Sequence, residues 1–121
     1  MRRPHLFALL GLLLGIATSF GCNLCKDEVV DKISAPEGSL TAVTRTRDCG
    51  ATTAETMWVS LQADAKENDV PVNHVFVLKH VHRLHVSWKD KATLLIDCRD
   101  CTPDEIHLQV TKLGSTRIEY D

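Results

Sequence analysis

Short segments in which apolar and polar residues alternate recur along the chain, and turn residues separate them. In the clearest segment, Met57, Val59 and Leu61 fall on one face of an extended strand. Because successive side chains of a strand point to opposite faces, this period of two predicts strands with one buried face. The segments of this kind are 40–46, 57–63, 74–78, 84–88, 93–97 and 106–110. They predict an all-β domain, a single small antiparallel meander or curled sheet with at most one short helix.

One segment, 103–113, fits two structures. Thr102-Pro103-Asp104-Glu105 has the form of a helix capping box with proline at the first helical position. Ile106, Val110 and Leu113 would then share one helical face. The same residues also fit a period of two, and their β-branched content favours a strand.

The first residues have the layout of a secretory signal. Arg2 and Arg3 precede an apolar run over residues 6–17, and small residues suited to cleavage follow over 16–22. The apolar run is too short for a spanning helix. We therefore expect a signal peptide at 1–21, a tether at 22–35 and an antiparallel β domain at 36–121.

The charge of the exported part excludes one class of partner. Removing Arg2 and Arg3 with the leader leaves 12 basic and 16 acidic residues, a net charge of −4. A mildly acidic domain lacks the basic surface that binds nucleic acid.

Cys22 is a candidate for lipidation. Gly21-Cys22 resembles the end of the bacterial lipobox, although Ser19 and Phe20 depart from its usual residues. The chain has five cysteines, an odd number that needs an explanation in an exported protein. Acylation of Cys22, with palmitate for example, would leave an even set and anchor the domain to a membrane. The alternative is simple cleavage and a free periplasmic protein.

Cys98-Arg99-Asp100-Cys101 follows a predicted strand and precedes the ambiguous segment. Strand, Cys-x-x-Cys and helix is the local order of a thioredoxin-type redox site. Only 20 residues follow Cys101, however, and no βαβ framework surrounds the motif. A local structural disulfide and cross-pairing with Cys25 and Cys49 are the other two interpretations.

Histidines suggest a metal site. His80 and His82 lie two residues apart, so in an extended segment both rings would point to one side. With the thiolates of Cys98 and Cys101 they would form a tetrahedral zinc site, whereas nitrogen ligands alone would suit copper. The alternative is a pair of solvated histidines in a turn and no cofactor.

The chain resembles a family of small exported bacterial proteins, commonly lipoproteins of unknown function. The residues that carry the resemblance are CKDE, the segment RDCGATT and the hairpin VSWKDKATLLI. The chain departs from the family's pattern in the turn Ala35-Pro36-Glu37-Gly38, in the histidines around His80, and in Cys98 and Cys101. The resemblance implies export, a β domain and a joint role for Cys25 and Cys49, which we interpret as a disulfide. Gly50 would give the backbone freedom for a sharp bend at which another backbone comes close.

Together these features predict an exported small β binding or structural module of the bacterial cell envelope, facing the periplasm. Its expected partners are the membrane, through the lipid on Cys22, and a second envelope protein. No catalytic constellation is recognisable in the sequence, so an enzyme is not predicted. The alternative function is a metal-binding or thiol-redox protein that uses His80, His82, Cys98 and Cys101.

Overall fold

A computed structural model describes residues 25–50, 54–63 and 73–121, and these residues form an all-β domain as predicted. The expected signal peptide at 1–21 and Cys22 lie outside the described residues. The strands within the described ranges are β1 Lys26–Ser34, β2 Leu40–Asp48, β3 Thr56–Ala63, β4 Asn73–Leu78, β5 His85–Asp90, β6 Thr93–Asp97, β7 Ile106–Gln109, β8 Lys112–Leu113 and β9 Thr116–Tyr120.

The strands form two sheets rather than one curled sheet. The first sheet has the order β1-β2-β3-β4-β7, and the second has the order β5-β6-β9-β8. All pairs are antiparallel except β6 and β9, which run parallel, with Leu94 opposite Ile118. The chain therefore leaves the second sheet after β6, adds β7 to the first sheet, and returns for the β8–β9 hairpin.

The hydrophobic core combines residues of the two sheets. The first sheet contributes Ala42, Met57, Val59, Leu61, Val75, Phe76 and Leu78, and the second contributes Val86, Leu94, Ile96 and Ile118. The period-two positions of β3 and β6 thus face the core, as their sequences predict. Cys98 and Cys101 pack against the edge of this cluster.

Strand β1 lies within the segment 22–35, for which the sequence predicts a tether, so the folded part begins earlier than expected. Its side chains are exposed except for the half-buried Ile33, which explains why hydrophobic periodicity does not reveal it. Backbone pairing with β2 holds the strand in the sheet. The Trp88 indole N–H also donates a hydrogen bond to the Ile33 carbonyl oxygen over 2.9 Å, which links β1 to the second sheet.

The bend after β2 contains Cys49 and Gly50. Gly50 has a φ of +108°, a conformation that side-chain-bearing residues rarely adopt, and its amide donates to Asp48 Oδ1 over 3.0 Å. A Cβ placed on Gly50 would have nothing within 4 Å. The expectation of a closely approaching backbone is therefore wrong at this residue, where glycine serves the positive φ.

The ambiguous segment forms strands. A 3₁₀ turn over Pro103–Glu105 is followed at once by β7, so the strand interpretation is confirmed and the helix does not form. Val77 pairs with Leu108 and Phe76 with Gln109, which places β7 at the edge of the first sheet.

Candidate metal and thiol site

Two cysteines lie where the second sheet meets the first. Cys98 follows the last residue of β6, and Cys101 precedes the 3₁₀ turn that leads into β7. The structure joins the two sulfurs in a disulfide with a Cα–Cα distance of 5.5 Å. Cys25 and Cys49 form the other disulfide. Each disulfide therefore joins cysteines of one set, and cross-pairing between the two sets is not observed.

His82 brings an imidazole to the Cys98–Cys101 pair. It lies between β4 and β5, and its ligand atom and the two sulfurs are all within 4.8 Å of one another. His82 Nε2 is hydrogen-bonded to Glu105 Oε2, and the two side chains keep only 15% and 22% of their exposure. The structure thus brings together three of the four predicted metal ligands, and it places an unpredicted carboxylate, Glu105, against His82.

The structure does not bring His80 to this cluster. The prediction placed His80 and His82 on one side of an extended segment, but the chain bends at Lys79 and His80 after β4 ends. The period-two rule does not apply across such a bend. His80 is exposed, and within the described ranges the group of converging metal ligands contains His82, Cys98 and Cys101 alone.

Glu105 is positioned by the 3₁₀ turn. Its amide donates to the Thr102 carbonyl oxygen over 3.0 Å, and its own carbonyl oxygen accepts the Lys79 amide over 2.8 Å. The Thr102 hydroxyl donates to Glu105 Oε1 over 3.1 Å, which leaves Oε2 for His82. The Thr-Pro-Asp-Glu motif was the signal for this arrangement, since it fixes a glutamate three residues beyond the threonine. Neither the helix-cap nor the strand interpretation of this segment predicts the contact of Glu105 with His82.

This set of groups has the chemistry of a transition-metal site when the disulfide is reduced. Two thiolates and an imidazole nitrogen are ligands that zinc accepts in tetrahedral sites, where water can take the fourth position. Copper(I) also prefers thiolate ligands. In the disulfide state the sulfurs are not thiolates, so a metal requires the dithiol.

An apolar crevice of about 190 Å³ opens beside the disulfide. Its wall contains Cys98 and Cys101 together with Phe76, Ile96, Ile106 and Tyr120, and the polar residues Gln109 and Asp121 complete it. The crevice wall is formed by residues of β4 and β7 in the first sheet and of β6 and β9 in the second. Both cysteines are half-buried, so this apolar space borders the sulfur-bearing residues directly.

Tyr120 holds the two sheets together at this crevice. Its hydroxyl group lies 2.6 Å from the Val110 carbonyl oxygen and 3.1 Å from that of Val75, and its ring lies 5.3 Å from that of Phe76. Burial raises the pKa of Tyr120 to about 12. The phenol is therefore neutral at physiological pH and acts as a hydrogen-bond donor.

A charged cavity of about 420 Å³ lies on the other side of the second sheet, lined by Arg83, His85, Asp97, Arg99 and Asp100. Asp97 pairs with His85 across β5 and β6, and it precedes Cys98 in the chain. Successive residues of a strand face opposite sides. The charged cavity and the side chain of Cys98 therefore lie on opposite sides of the second sheet.

A further polar cluster lies on the face of β3 that points away from the core. The Ser60 hydroxyl is 2.9 Å from His74 Nδ1, and the Trp58 ring contacts His74 edge-on with a centroid distance of 5.5 Å. Burial lowers the pKa of His74, and the nearby positive charges of Arg45 and Arg47 lower it further. This imidazole is therefore kept neutral over a wider pH range than an ordinary histidine.

Within the described part of the chain, no helix is long and apolar enough to cross a membrane. No protein-family model, curated protein or solved structure matches the chain. The resemblance to small exported lipoproteins and the assignment of Cys22 therefore stay predictions.

Proposed function

We propose that this chain is an exported, lipid-anchored protein of the bacterial cell envelope that binds a transition-metal ion, with zinc as the preferred ion. The dithiol state of Cys98 and Cys101 would supply two ligands and His82 the third, while Glu105 would hold the imidazole through its hydrogen bond to His82. The observation that carries this proposal is the convergence of the His82, Cys98 and Cys101 ligand atoms within 4.8 Å of one another.

The surroundings of these residues support a site whose groups are positioned before an ion binds. Each ligand comes from a segment fixed by the fold, namely the end of β6, the 3₁₀ turn and the loop before β5. Glu105 is hydrogen-bonded to Thr102 as well as to His82, so its carboxylate is oriented before any ion arrives. Such outer contacts commonly change metal affinity by about 10- to 100-fold.

A cobalt(II) titration of the fully reduced protein tests the metal site. We expect one equivalent to bind and to produce the near-ultraviolet charge-transfer absorption of a cobalt–thiolate bond, and one equivalent of zinc to displace it. The double variant Cys98→Ser/Cys101→Ser should lack this absorption, although it still contains the thiols of Cys25 and Cys49. Absorption that persists in this variant would place the metal elsewhere.

The contribution of histidine is tested with a matched pair of variants. His82→Ala should weaken zinc binding at least about tenfold, since a lost ligand should cost no less than a lost outer contact. His85→Ala is the control, because His85 is exposed and lies outside the ligand group. Equal zinc affinity of the two variants, measured by competition with a chromophoric chelator, would contradict the assignment of His82.

The envelope location rests on the leader and on Gly21-Cys22. We expect mass spectrometry of the membrane fraction to find a mature chain that begins with acylated Cys22. Cys22→Ser should move the protein out of that fraction. A wild-type chain with an unmodified N-terminus in the soluble fraction would refute the anchor and leave the metal site untouched.

A further inference from the structure

We infer that the Cys98–Cys101 disulfide accepts electrons from thiols of a polypeptide, and that the adjoining crevice selects a substrate cysteine that is followed or preceded by an aromatic residue. This activity uses the oxidised pair and goes beyond the proposed metal binding, which uses the reduced pair. The inference depends on the juxtaposition of a half-buried disulfide and an apolar space of one side chain's size.

The first step of the argument is accessibility. Thiol–disulfide exchange requires that a thiolate reach a disulfide sulfur. Cys98 and Cys101 are half-buried and form part of the crevice wall, so an entering thiol would meet them from that side. Cys25 is exposed and Cys49 is half-buried, so the other disulfide is also open to solvent, but neither cysteine is part of the crevice wall.

The second step is size and chemistry. A cavity of roughly 150 Å³ lined by aliphatic and aromatic side chains is known to hold a benzene ring, and this crevice measures about 190 Å³. Phe76, Ile96, Ile106 and Tyr120 offer an apolar and aromatic lining. An aromatic ring would gain free energy by leaving water for this lining, whereas a charged side chain would lose it.

The third step is the position of β7. Ile106 and Gln109 belong both to the crevice wall and to β7, which is the edge strand of the first sheet. An edge strand offers backbone groups to a second extended chain. A polypeptide that lies along β7 can therefore place one side chain in the crevice and a neighbouring cysteine at the disulfide.

The exchange is balanced as a two-electron transfer. A substrate thiolate attacks one sulfur of the pair, the Cys98–Cys101 bond breaks, and the other sulfur leaves as a thiolate while a mixed disulfide forms. A second substrate thiolate then attacks the substrate sulfur of the mixed disulfide. The substrate becomes a disulfide, the pair becomes a dithiol, and the two protons lost by the substrate thiols are taken up by the pair.

The test uses two synthetic peptides, each with two cysteines, that differ only by phenylalanine or serine beside the first cysteine. Each is mixed with the oxidised protein in the presence of a chelator, and quenched samples are alkylated and mapped for both disulfides. We expect the phenylalanine peptide to reduce Cys98–Cys101 about tenfold faster, in keeping with burial of part of a ring. Both peptides should react with oxidised glutathione at rates within twofold of each other.

Two variants locate the selectivity. Ile106→Gln should reduce the tenfold preference to less than about twofold, because it puts a polar group into the crevice wall. Leu113→Gln is the control, since Leu113 is also half-buried against the core but is not part of the wall. Circular dichroism of both variants establishes that they are folded.

A second measurement does not depend on substitutions in the protein. The phenylalanine peptide with both cysteines replaced by serine should slow the exchange, because it occupies the crevice without reacting. Equal rates for the two reactive peptides, or an equal phenylalanine preference in the reduction of Cys25–Cys49, would overturn the inference. Because the assay is free of metal, its failure is distinguishable from a failure of the proposed metal site.

Discussion

The disulfide between Cys25 and Cys49 should contribute more to the stability of the domain than the one between Cys98 and Cys101. The two bonds close loops of very different size, since their sequence separations are 24 and 3 residues. The loop-entropy relation assigns about 3.5 kcal/mol to a loop of 25 residues and about 2 kcal/mol to one of four. The difference arises because the longer cross-link removes more conformations from the unfolded chain.

The fold gives a reason why this entropy should act on the whole domain. Lys26 and Asp48, the neighbours of the bonded cysteines, are the first register pair of β1 and β2. Strand β1 has little buried surface of its own, yet Ile33 packs against the core and accepts the hydrogen bond of Trp88. The disulfide therefore fixes the open end of a hairpin whose other end is attached to both sheets.

Urea unfolding of two double variants, Cys25→Ser/Cys49→Ser and Cys98→Ser/Cys101→Ser, measures the difference. At an m value of about 1.2–1.5 kcal/mol/M, the first variant should lose about 2–3 M in its unfolding midpoint. The second should lose about 1.5 M when metal is removed with a chelator. A smaller loss in the first variant than in the second would refute the reasoning. An unchanged midpoint with rapid hydrogen exchange confined to β1 would show that the bond stabilises that strand alone.

Two further substitutions test single groups. Tyr120→Phe should cost about 1–3 kcal/mol in the free energy of unfolding, because the Val110 carbonyl oxygen loses its donor. Tyrosine in the unfolded chain loses its proton near pH 10, whereas Tyr120 in the folded chain has a pKa of about 12. The wild type should therefore lose stability between these two pH values, and the Phe variant should lack this part of the decline. The pKa of His74 is lowered in the folded chain, so below about pH 6.5 the unfolded chain binds a proton at this residue more readily than the folded chain does. The wild type should therefore lose stability as the pH falls through this range, and His74→Gln should lose less. Urea titrations at several pH values measure this dependence in both proteins.

Much of the strand content was predictable because one face of each central strand is buried. The segment at 57–63 alternates in sequence, and Met57, Val59 and Leu61 indeed enter the core. Strand β1 was not predictable in this way, since Val29 and Val30 remain 46% and 56% exposed. Its stability comes from backbone pairing and a cross-link, neither of which produces a hydrophobic period.

The division into two sheets depends on information that local patterns do not contain. The parallel pairing of β6 with β9 joins segments separated by β7 and β8. Alternation specifies which side chains of a strand are buried, but it does not specify the neighbouring strand. Antiparallel hairpins between consecutive strands were the simplest inference, and β7 departs from them by pairing with β4.

The candidate site was predictable where spacing alone determines proximity. Cys98 and Cys101 are three residues apart, so they stay close together in any fold, although spacing alone left cross-pairing with Cys25 and Cys49 open. His82 lies in the loop before β5, and it reaches Cys98 only if this loop lies against the end of β6. The predicted hairpin VSWKDKATLLI, which pairs β5 with β6, is in keeping with this approach. Excluding His80 and adding Glu105 required the bend at Lys79 and the 3₁₀ turn, both of which are set by tertiary hydrogen bonds.

The two proposals assign different oxidation states to the same pair of sulfurs, and this has a physical consequence. Cys98 and Cys101 cannot be joined to each other and act as two thiolate ligands at once. A bound metal ion would therefore protect the dithiol from oxidation, and oxidation to the disulfide would release the ion. Metal affinity and reduction potential are therefore linked, because zinc binds only the dithiol. A variant that weakens zinc binding without altering the disulfide should make Cys98 and Cys101 easier to oxidise in the presence of zinc. His82→Ala is that variant, because it removes a metal ligand and leaves both sulfurs and the crevice wall in place.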